Sequence, residues 1–120
     1  MFEVSVEGHF RAEHAVTVSG VDETPHFHDW KAVVLVSGPT LDEDGLLLDF
    51  LKLEADLDKA IAPLRDADLN TCQVLQGKNP SAEHVAIYIA DCIKNTILPP
   101  NKLDSITITE APHCKAILHP

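Results

Sequence analysis

The chain has 120 residues, and 19 acidic against 9 basic side chains give it a formal net charge of −10. This length predicts one domain, residues 1–120, built around one hydrophobic core. The negative charge argues against nucleic acid as a partner, because backbone phosphates are bound by clustered Lys and Arg. No apolar run is long enough to span a membrane, and the N-terminus lacks the basic start of a signal peptide. A cytoplasmic protein is therefore expected.

The first half of the chain has the alternating pattern of β-strands. Residues 2–7 place apolar side chains on one face, and the strand is expected to bulge at Gly8 and to resume through His14. Residues 17–25 are rich in turn formers, and the β-branched run at 28–37 predicts a second strand. Residues 46–48 are expected to form a third, short strand.

The second half begins with two amphipathic helices. Asp49 is the expected N-cap of the first, whose apolar stripe is Phe50, Leu53, Leu57, Ile61 and Leu64. A polar loop, 65–80, leads to a second helix that opens at Pro80–Ser81 and stops before Pro99–Pro100. Its apolar stripe is Val85, Ile89, Cys92, Ile93 and Ile97. Residues 104–109 and 115–118 predict two final strands, so the order favours an α+β fold whose antiparallel sheet has both helices on one face.

The three cysteines, Cys72, Cys92 and Cys114, are odd in number and form no C-x-x-C pair. This spacing argues against a disulfide framework. We expect them to be reduced and buried as small apolar side chains.

Three of the seven histidines are spaced like metal ligands. His26 and His28 are two residues apart at a strand entry, so both imidazoles point to one side. Antiparallel pairing of the first two strands can bring His14 opposite them. Three imidazoles that leave one coordination position open are typical of catalytic zinc, although an H-x-H pair alone is also common as surface polarity. The other histidines, His9, His84, His113 and His119, are expected to be structural or exposed.

Together with these histidines, six short segments in order resemble the 6-pyruvoyl-tetrahydropterin synthase and 6-carboxy-tetrahydropterin synthase family. The segments cover nearly the whole chain. They are FRAEH at 10–14 (family F-x-A-x-H), HFH at 26–28 (HGH), GLLLDF at 45–50 (G, three apolar residues, D-F), LRDADLN at 64–70 (L-D-H-x-x-L-N), PSAEH at 80–84 (P-T-x-E-N) and TITE at 107–110 (V-x-V-x-E).

The resemblance implies a tunnelling fold, or T-fold, with two helices over an antiparallel four-stranded sheet. Subunits of such proteins join their sheets into a barrel, usually as a hexamer built from two trimers, and the pterin lies between subunits. It also implies that Glu110 binds the guanidine-like edge of the pterin, since a carboxylate can face two parallel N–H donors. Ser81, Ala82 and Glu83 would contribute to the substrate site, with Glu83 alternatively supporting its helix N-terminus.

Three departures from the family pattern bear on the chemistry. Asp22 stands where the family has its catalytic cysteine, but Glu23 completes the E-x-x-H pattern of a subgroup that removes the dihydroneopterin side chain. Asp66 replaces the histidine of L-D-H, which normally relays a proton. Phe27 replaces the glycine of HGH and is expected to point away from the imidazoles and to pack into the core.

The leading hypothesis is a zinc-dependent lyase acting on the side chain of 7,8-dihydroneopterin or its triphosphate. Glu23 would act as the base and Asp66 as its partner. The alternatives are the standard 6-pyruvoyl- or 6-carboxy-tetrahydropterin synthase reaction, a paralogue that binds metal and pterin without catalysis, and a metal-binding protein unrelated to pterins. The net charge repels a triphosphate, which would need local cations to bind. The available candidates are Arg11, Lys31, Arg65 and Lys78.

Overall fold

A computed structural model describes all 120 residues. The strands are β1 (Phe2–His14), β2 (Thr17–Val18), β3 (Val21–Asp22), β4 (His26–Gly38), β5 (Lys102–Ala111) and β6 (Cys114–Leu118). The helices are α1 (Phe50–Ile61) and α2 (Ala82–Ile93), and short 3-10 turns occupy Ala62–Leu64, Gln73–Leu75 and Lys94–Thr96. None of the helices is both long and apolar enough to cross a membrane.

The sheet is four-stranded and antiparallel, in the order β1-β4-β5-β6. Helix α1 packs against β1, α2 packs against β5 and β6, and the two helices contact each other. Both helices therefore cover one face of the sheet and leave the other face open, as the sequence predicts. The small hairpin β2–β3 forms a separate two-stranded sheet, in the part of the chain that connects β1 to β4.

The core lies between the helices and the covered face of the sheet. Alternate side chains of β1 and β4 enter it because successive residues of a strand point to opposite faces. Val6, Phe10, Trp30 and Val34 are buried there, and they belong to a cluster of 21 buried apolar residues. The same alternation places the side chains of His14, at the end of β1, and of His26 and His28, at the start of β4, on the covered face of the sheet.

Both helices begin at the predicted caps. Asp49 Oδ1 accepts a hydrogen bond from the Leu51 amide at 2.9 Å, and Ser81 Oγ accepts one from the His84 amide at 3.1 Å. These side chains satisfy amides that have no partner within their own helix. Helix α2 ends at Ile93, earlier than its apolar stripe suggested, and Ile97 lies beyond the 3-10 turn that follows.

The expected bulge at Gly8 is wrong. Strand β1 pairs with β4 without interruption from Phe2 to His14, and the irregularities of the sheet lie in β4–β5 and β5–β6 instead. A Cβ atom at Gly8 would lie 2.7 Å from Ile61 Cδ1 and 3.3 Å from Leu57 Cδ2. A larger residue here would have to displace the end of the Ile61 side chain, because α1 passes close to the sheet at this point.

The predicted strand at residues 46–48 is also absent. Asp42 Oδ1 accepts hydrogen bonds from the amides of Asp44 and Leu46, which makes a turn of this segment. Leu47 is buried, and its carbonyl accepts a hydrogen bond from Asn101 Nδ2 at 3.0 Å. The apolar run thus contributes the buried Leu47 and the half-buried Leu48, which packs against the core cluster, and no sheet pairing.

Two expectations of burial are corrected. Cys92 and Cys114 are exposed and Cys72 is only half-buried, because α2 turns Cys92 away from the core and Cys114 lies on the edge strand. Phe27 does point away from the imidazoles, but onto the open face of the sheet, where it is 46% exposed. The Arg11 guanidinium carbon lies 3.9 Å from its ring centre, so a cation replaces the expected core contacts.

Candidate metal centre and active site

Three histidines meet where β1 ends and β4 begins. The antiparallel register places His14 opposite His26 and Ala12 opposite His28, so all three rings share the covered side of the sheet. One ligand atom from each ring lies within 4.8 Å of those of the other two. The predicted convergence of His14, His26 and His28 is thus present in the fold.

Backbone carbonyls fix the orientation of two of these rings. His14 Nδ1 donates a hydrogen bond to the Pro80 carbonyl and His26 Nδ1 donates one to the Thr24 carbonyl, both at 2.8 Å. A carbonyl can only accept, so Nδ1 carries the hydrogen and Nε2 presents its lone pair. Such outer contacts set the tautomer of metal-binding histidines and hold the ring in place.

His14 has the environment expected of a metal ligand. It is completely buried, and its Nε2 atom has no hydrogen-bond partner. Glu110 Oε1 lies 3.0 Å from this nitrogen, but not in hydrogen-bonding geometry. A buried polar atom without a partner costs about 1–3 kcal/mol, and a bound cation would satisfy it. Three neutral imidazoles with one direction left open are the donor set of catalytic zinc, so these residues fit such an ion.

Trp30 packs against the buried imidazole of His14. Its ring meets the edge of His14 at a centroid distance of 4.9 Å and stacks on Phe10 at 5.8 Å. Its Nε1 atom donates a hydrogen bond to the Ala12 carbonyl at 3.2 Å. The cluster therefore rests on a rigid, fully packed part of the sheet.

Electrostatics keep His28 in the neutral form that a metal requires. Burial is the main reason that the pKa of His28 lies below its ordinary value of 6.5, and the neighbouring His26 and His14 lower it further. The negative charges of Glu110 and Glu23 act in the opposite direction. A neutral imidazole binds a cation without first losing a proton.

This shift predicts how the stability of the metal-free protein depends on pH. As pH falls through 6.5 the unfolded chain takes up a proton at His28 before the folded protein does, so the free energy of unfolding decreases. Urea unfolding at a series of pH values should show this loss below pH 6.5, and His28→Gln should reduce it. The exposed His9, replaced by Gln, is the control. An unchanged pH dependence in His28→Gln would contradict the assignment.

Glu23 lies in the loop that joins the β2–β3 hairpin to β4. Its amide donates a hydrogen bond to the Val16 carbonyl, and its Oε1 atom accepts one from the Val16 amide, both at 3.0 Å. The other carboxylate oxygen carries no hydrogen bond. Glu23 precedes His26 by three residues, and among the groups that shift the pKa of His28 its charge has the smallest effect.

Glu110 and the segment 81–83 approach the cluster from two other elements. Glu110 is near the end of β5, beside His14, with 27% of its side chain exposed. Ser81 uses its hydroxyl to cap α2, Ala82 is half-buried, and Glu83 is exposed in the first turn. The carbonyl of the preceding Pro80 accepts a hydrogen bond from His14, so the start of this helix is connected directly to the histidine cluster.

Asp66 lies elsewhere. Its backbone has a positive φ of 54°, and its amide donates a hydrogen bond to the Arg11 carbonyl at 2.7 Å. It lines a cavity of about 410 Å³ with Arg11, Asp29 and Arg65. Glu23 lines a different cavity of about 300 Å³. Within one chain, the two predicted catalytic acids are not brought together.

Sequence reasoning missed the groups that orient the site. The carbonyls of Thr24 and Pro80 belong to the backbone, so the residue type does not indicate that they orient His26 and His14. Asn70 and Asn79 are hydrogen-bonded to the backbone of Ala15 and Thr17, which precede Glu23. Both lie within residues 65–80, whose sequence pattern indicates only a polar loop. Asn70 does end the L-D-H-x-x-L-N segment, and this was the available signal.

Comparisons with known proteins agree with this architecture. A family model described as 6-pyruvoyl tetrahydropterin synthase matches residues 3–120. A dihydroneopterin monophosphate aldolase of Pyrococcus furiosus is 30% identical over 101 residues, which are 84% of this chain and 82% of that protein.

Solved structures of this family have the same fold. The 6-pyruvoyl tetrahydropterin synthase of Caenorhabditis elegans has a TM-score of 0.83 at 20% identity, over 100% of this chain and 97% of that one. A Plasmodium vivax 6-pyruvoyltetrahydropterin synthase whose catalytic glutamate is replaced by alanine has a TM-score of 0.80 at 20% identity, over 99% and 97% of the two chains. The chain, with its two helices on an antiparallel sheet in the T-fold arrangement, belongs to the 6-pyruvoyl tetrahydropterin synthase family of pterin-processing enzymes.

Proposed function

We propose that this protein is a zinc-dependent lyase that removes the side chain of 7,8-dihydroneopterin, or of a phosphate ester of it, and leaves 6-hydroxymethyl-dihydropterin. The observation that carries the proposal is the convergence of three imidazoles, and Glu23, a carboxylate with one oxygen free of hydrogen bonds, lies three residues before His26 in the chain. Two comparisons support it. The Pyrococcus furiosus relative is named an aldolase of dihydroneopterin monophosphate, and the Plasmodium vivax protein has a catalytic glutamate.

His14, His26 and His28 would hold the zinc ion. When bound, such an ion polarises a substrate oxygen and lowers the pKa of a hydroxyl that contacts it. The orienting bonds to the Pro80 and Thr24 carbonyls supply the fixed geometry that this role needs.

Substrate recognition is assigned to Glu110. Its carboxylate is part-exposed near the histidine cluster and would bind the guanidine-like edge of the pterin. Two parallel hydrogen bonds to one carboxylate fix the plane of the ring as well as its position. Ser81, Ala82 and Glu83 would line the same site, because the residue before them is bonded to His14.

Glu23 would start the reaction by taking the proton of the hydroxyl on the second side-chain carbon. The bond between the first and second side-chain carbons then breaks, the second carbon leaves as an aldehyde, and the electron pair enters the C=N bond of the pterin ring. Return of the proton to the first carbon gives the hydroxymethyl product. General base catalysis of this kind contributes about 10²–10⁴-fold to a rate.

The surface charges favour a substrate with few phosphates. Three of the four cations that could bind a triphosphate are already engaged, since Arg11 lies over Phe27, Lys31 is 4.0 Å from Glu7, and Arg65 pairs with Asp58. Only Lys78 among the four has no such partner. With a net charge of −10, we favour dihydroneopterin or its monophosphate over the triphosphate.

The working form is proposed to be a homo-oligomer, a hexamer made of two trimers, with the pterin between subunits. The open face of the sheet and the separation of Asp66 from Glu23 within one chain support this view. In such an assembly, Asp66 of one subunit would serve as proton partner at the site of its neighbour.

Identification of the product tests the proposed reaction. Zinc-loaded protein would be mixed separately with 7,8-dihydroneopterin, its monophosphate and its triphosphate, and the products would be analysed by mass spectrometry. The expected products are 6-hydroxymethyl-dihydropterin and a two-carbon hydroxyaldehyde, free or phosphorylated according to the substrate.

Other outcomes would favour the rival functions. A 6-pyruvoyl- or 6-carboxy-tetrahydropterin product would identify the standard family reaction. Tight pterin binding without any product would identify a non-catalytic paralogue, and absence of pterin affinity would leave only a metal-binding protein. Each of these results would reject the lyase.

A further inference from the structure

The three residues that follow β1 are held in an unusual way. Ala15 lies outside the strands and Thr17 opens β2 opposite Asp22, yet each has both backbone polar groups hydrogen-bonded to the side-chain amide of one asparagine. Asn70 accepts from the Ala15 amide and donates to the Ala15 carbonyl, both at 2.8 Å. Asn79 accepts from the Thr17 amide at 2.8 Å and donates to the Thr17 carbonyl at 3.0 Å.

Val16, which lies between them, has both backbone polar groups hydrogen-bonded to Glu23. Its amide donates to Glu23 Oε1 and its carbonyl accepts from the Glu23 amide, both at 3.0 Å. Thr17 Oγ1 also donates to Asp22 Oδ1 at 2.6 Å. Val16 is the residue that is hydrogen-bonded to Glu23. Its two neighbours, Ala15 and Thr17, are held by Asn70 and Asn79, so the backbone is fixed on both sides of Val16.

A side-chain amide suits this contact. Asparagine offers a donor and an acceptor on two separate atoms, whereas a serine hydroxyl has both on one atom, an ionised aspartate has no donor and alanine has neither. Asn70 and Asn79 are exposed, so burial of apolar surface does not explain their presence. Their hydrogen bonds to the chain are the contacts that the structure assigns to them.

Both asparagines stand on anchored segments next to the histidines. Asn70 follows Leu69, which is completely buried and whose amide donates to the Glu13 carbonyl at 2.8 Å. Asn79 precedes Pro80, whose carbonyl orients His14. The asparagines thus connect the segment that holds Glu23 to the elements that hold the first histidine.

We infer that Asn70 and Asn79 are positioning residues that hold the Glu23 carboxylate at a fixed distance from the histidine cluster. The inference rests on the proposed role of Glu23 as base. A displacement of about 1 Å in a reacting group can lower a rate by about 100-fold, so loss of either amide should affect catalysis more than stability.

The test compares Asn70→Ala and Asn79→Ala with a matched control, Asn101→Ala. Asn101 also donates one side-chain hydrogen bond to a backbone carbonyl, that of Leu47, but it lies at the opposite end of the β1–β4 hairpin. Zinc-loaded proteins would be compared in amide hydrogen exchange, zinc content, kcat and KM. Hydrogen exchange reports local opening directly and does not require turnover.

In Asn70→Ala the Ala15 amide, and in Asn79→Ala the Thr17 amide, should exchange at least about 10-fold faster than in the wild type. In both variants kcat should fall by about 10- to 100-fold, with KM and zinc content close to those of the wild type. Asn101→Ala should keep its kcat and the slow exchange of both amides.

Two results would overturn the inference, and they differ from failure of the proposed function. If the wild type turns over substrate and both asparagine variants keep its kcat, the asparagines do not position the base. If the two amides already exchange rapidly in the wild type, the hydrogen bonds from Asn70 and Asn79 do not persist in solution. A wild type that is inactive on every pterin instead rejects the base role of Glu23, and the positioning role with it.

Discussion

His14→Ala is expected to remove stoichiometric metal and all turnover. The substitution deletes a buried imidazole that we propose binds the ion, and it leaves the Pro80 carbonyl without its donor. Two imidazoles from His26 and His28 then remain, one fewer than catalytic zinc sites use. Removal of the ring and its hydrogen bond should also lower the free energy of unfolding of the metal-free protein by about 2–4 kcal/mol.

The matched control is His9→Ala on the same strand. His9 has an odd position in β1, so its ring points to the open face and is 67% exposed. This variant should keep one metal ion per chain and the stability of the wild type. Metal analysis after gel filtration and urea unfolding measure both effects. Full metal content in His14→Ala would show that the ion binds elsewhere.

Glu23→Gln is expected to lower kcat by about 10²–10⁴-fold while the fold, the metal and the affinity for pterin are retained. The glutamine has the same shape, and its side-chain oxygen can still accept from the Val16 amide. It cannot take a proton from the substrate hydroxyl.

Asp22→Asn provides the control for Glu23→Gln. It removes a negative charge one residue away, and its amide oxygen can still accept from the Thr17 hydroxyl. Its kcat should equal that of the wild type in steady-state assays on dihydroneopterin. Comparable losses in the two variants would assign the effect to local charge, and an active Glu23→Gln would remove Glu23 from the mechanism.

Much of the fold could be predicted because its strands and helices follow simple periods. The alternation of residues 2–7 and the stripe through Leu53, Leu57 and Ile61 each point to one element and one buried face. The same geometry predicted the candidate site, since His26 and His28 must share a face and antiparallel pairing places His14 opposite them. These are local rules that a single sequence carries.

The errors arose where tertiary contacts decide. Gly8 lies against Ile61 and Leu57 of α1, and nothing in residues 2–14 indicates that helix. The exposure of Cys92 and of Phe27 depends on which neighbours their elements meet. The hydrogen bonds of Asn79 span 62 residues of chain to Thr17, so no local pattern predicts them.

The central claim is that three imidazoles bind one ion and leave a coordination position open beside Glu23. X-ray absorption spectroscopy of the purified, zinc-loaded protein tests it most directly. We expect one zinc per chain, three nitrogen ligands at about 2.0–2.1 Å and a further oxygen ligand that changes when a pterin is added. Less than stoichiometric zinc, or a shell without three histidine nitrogens, would contradict the account.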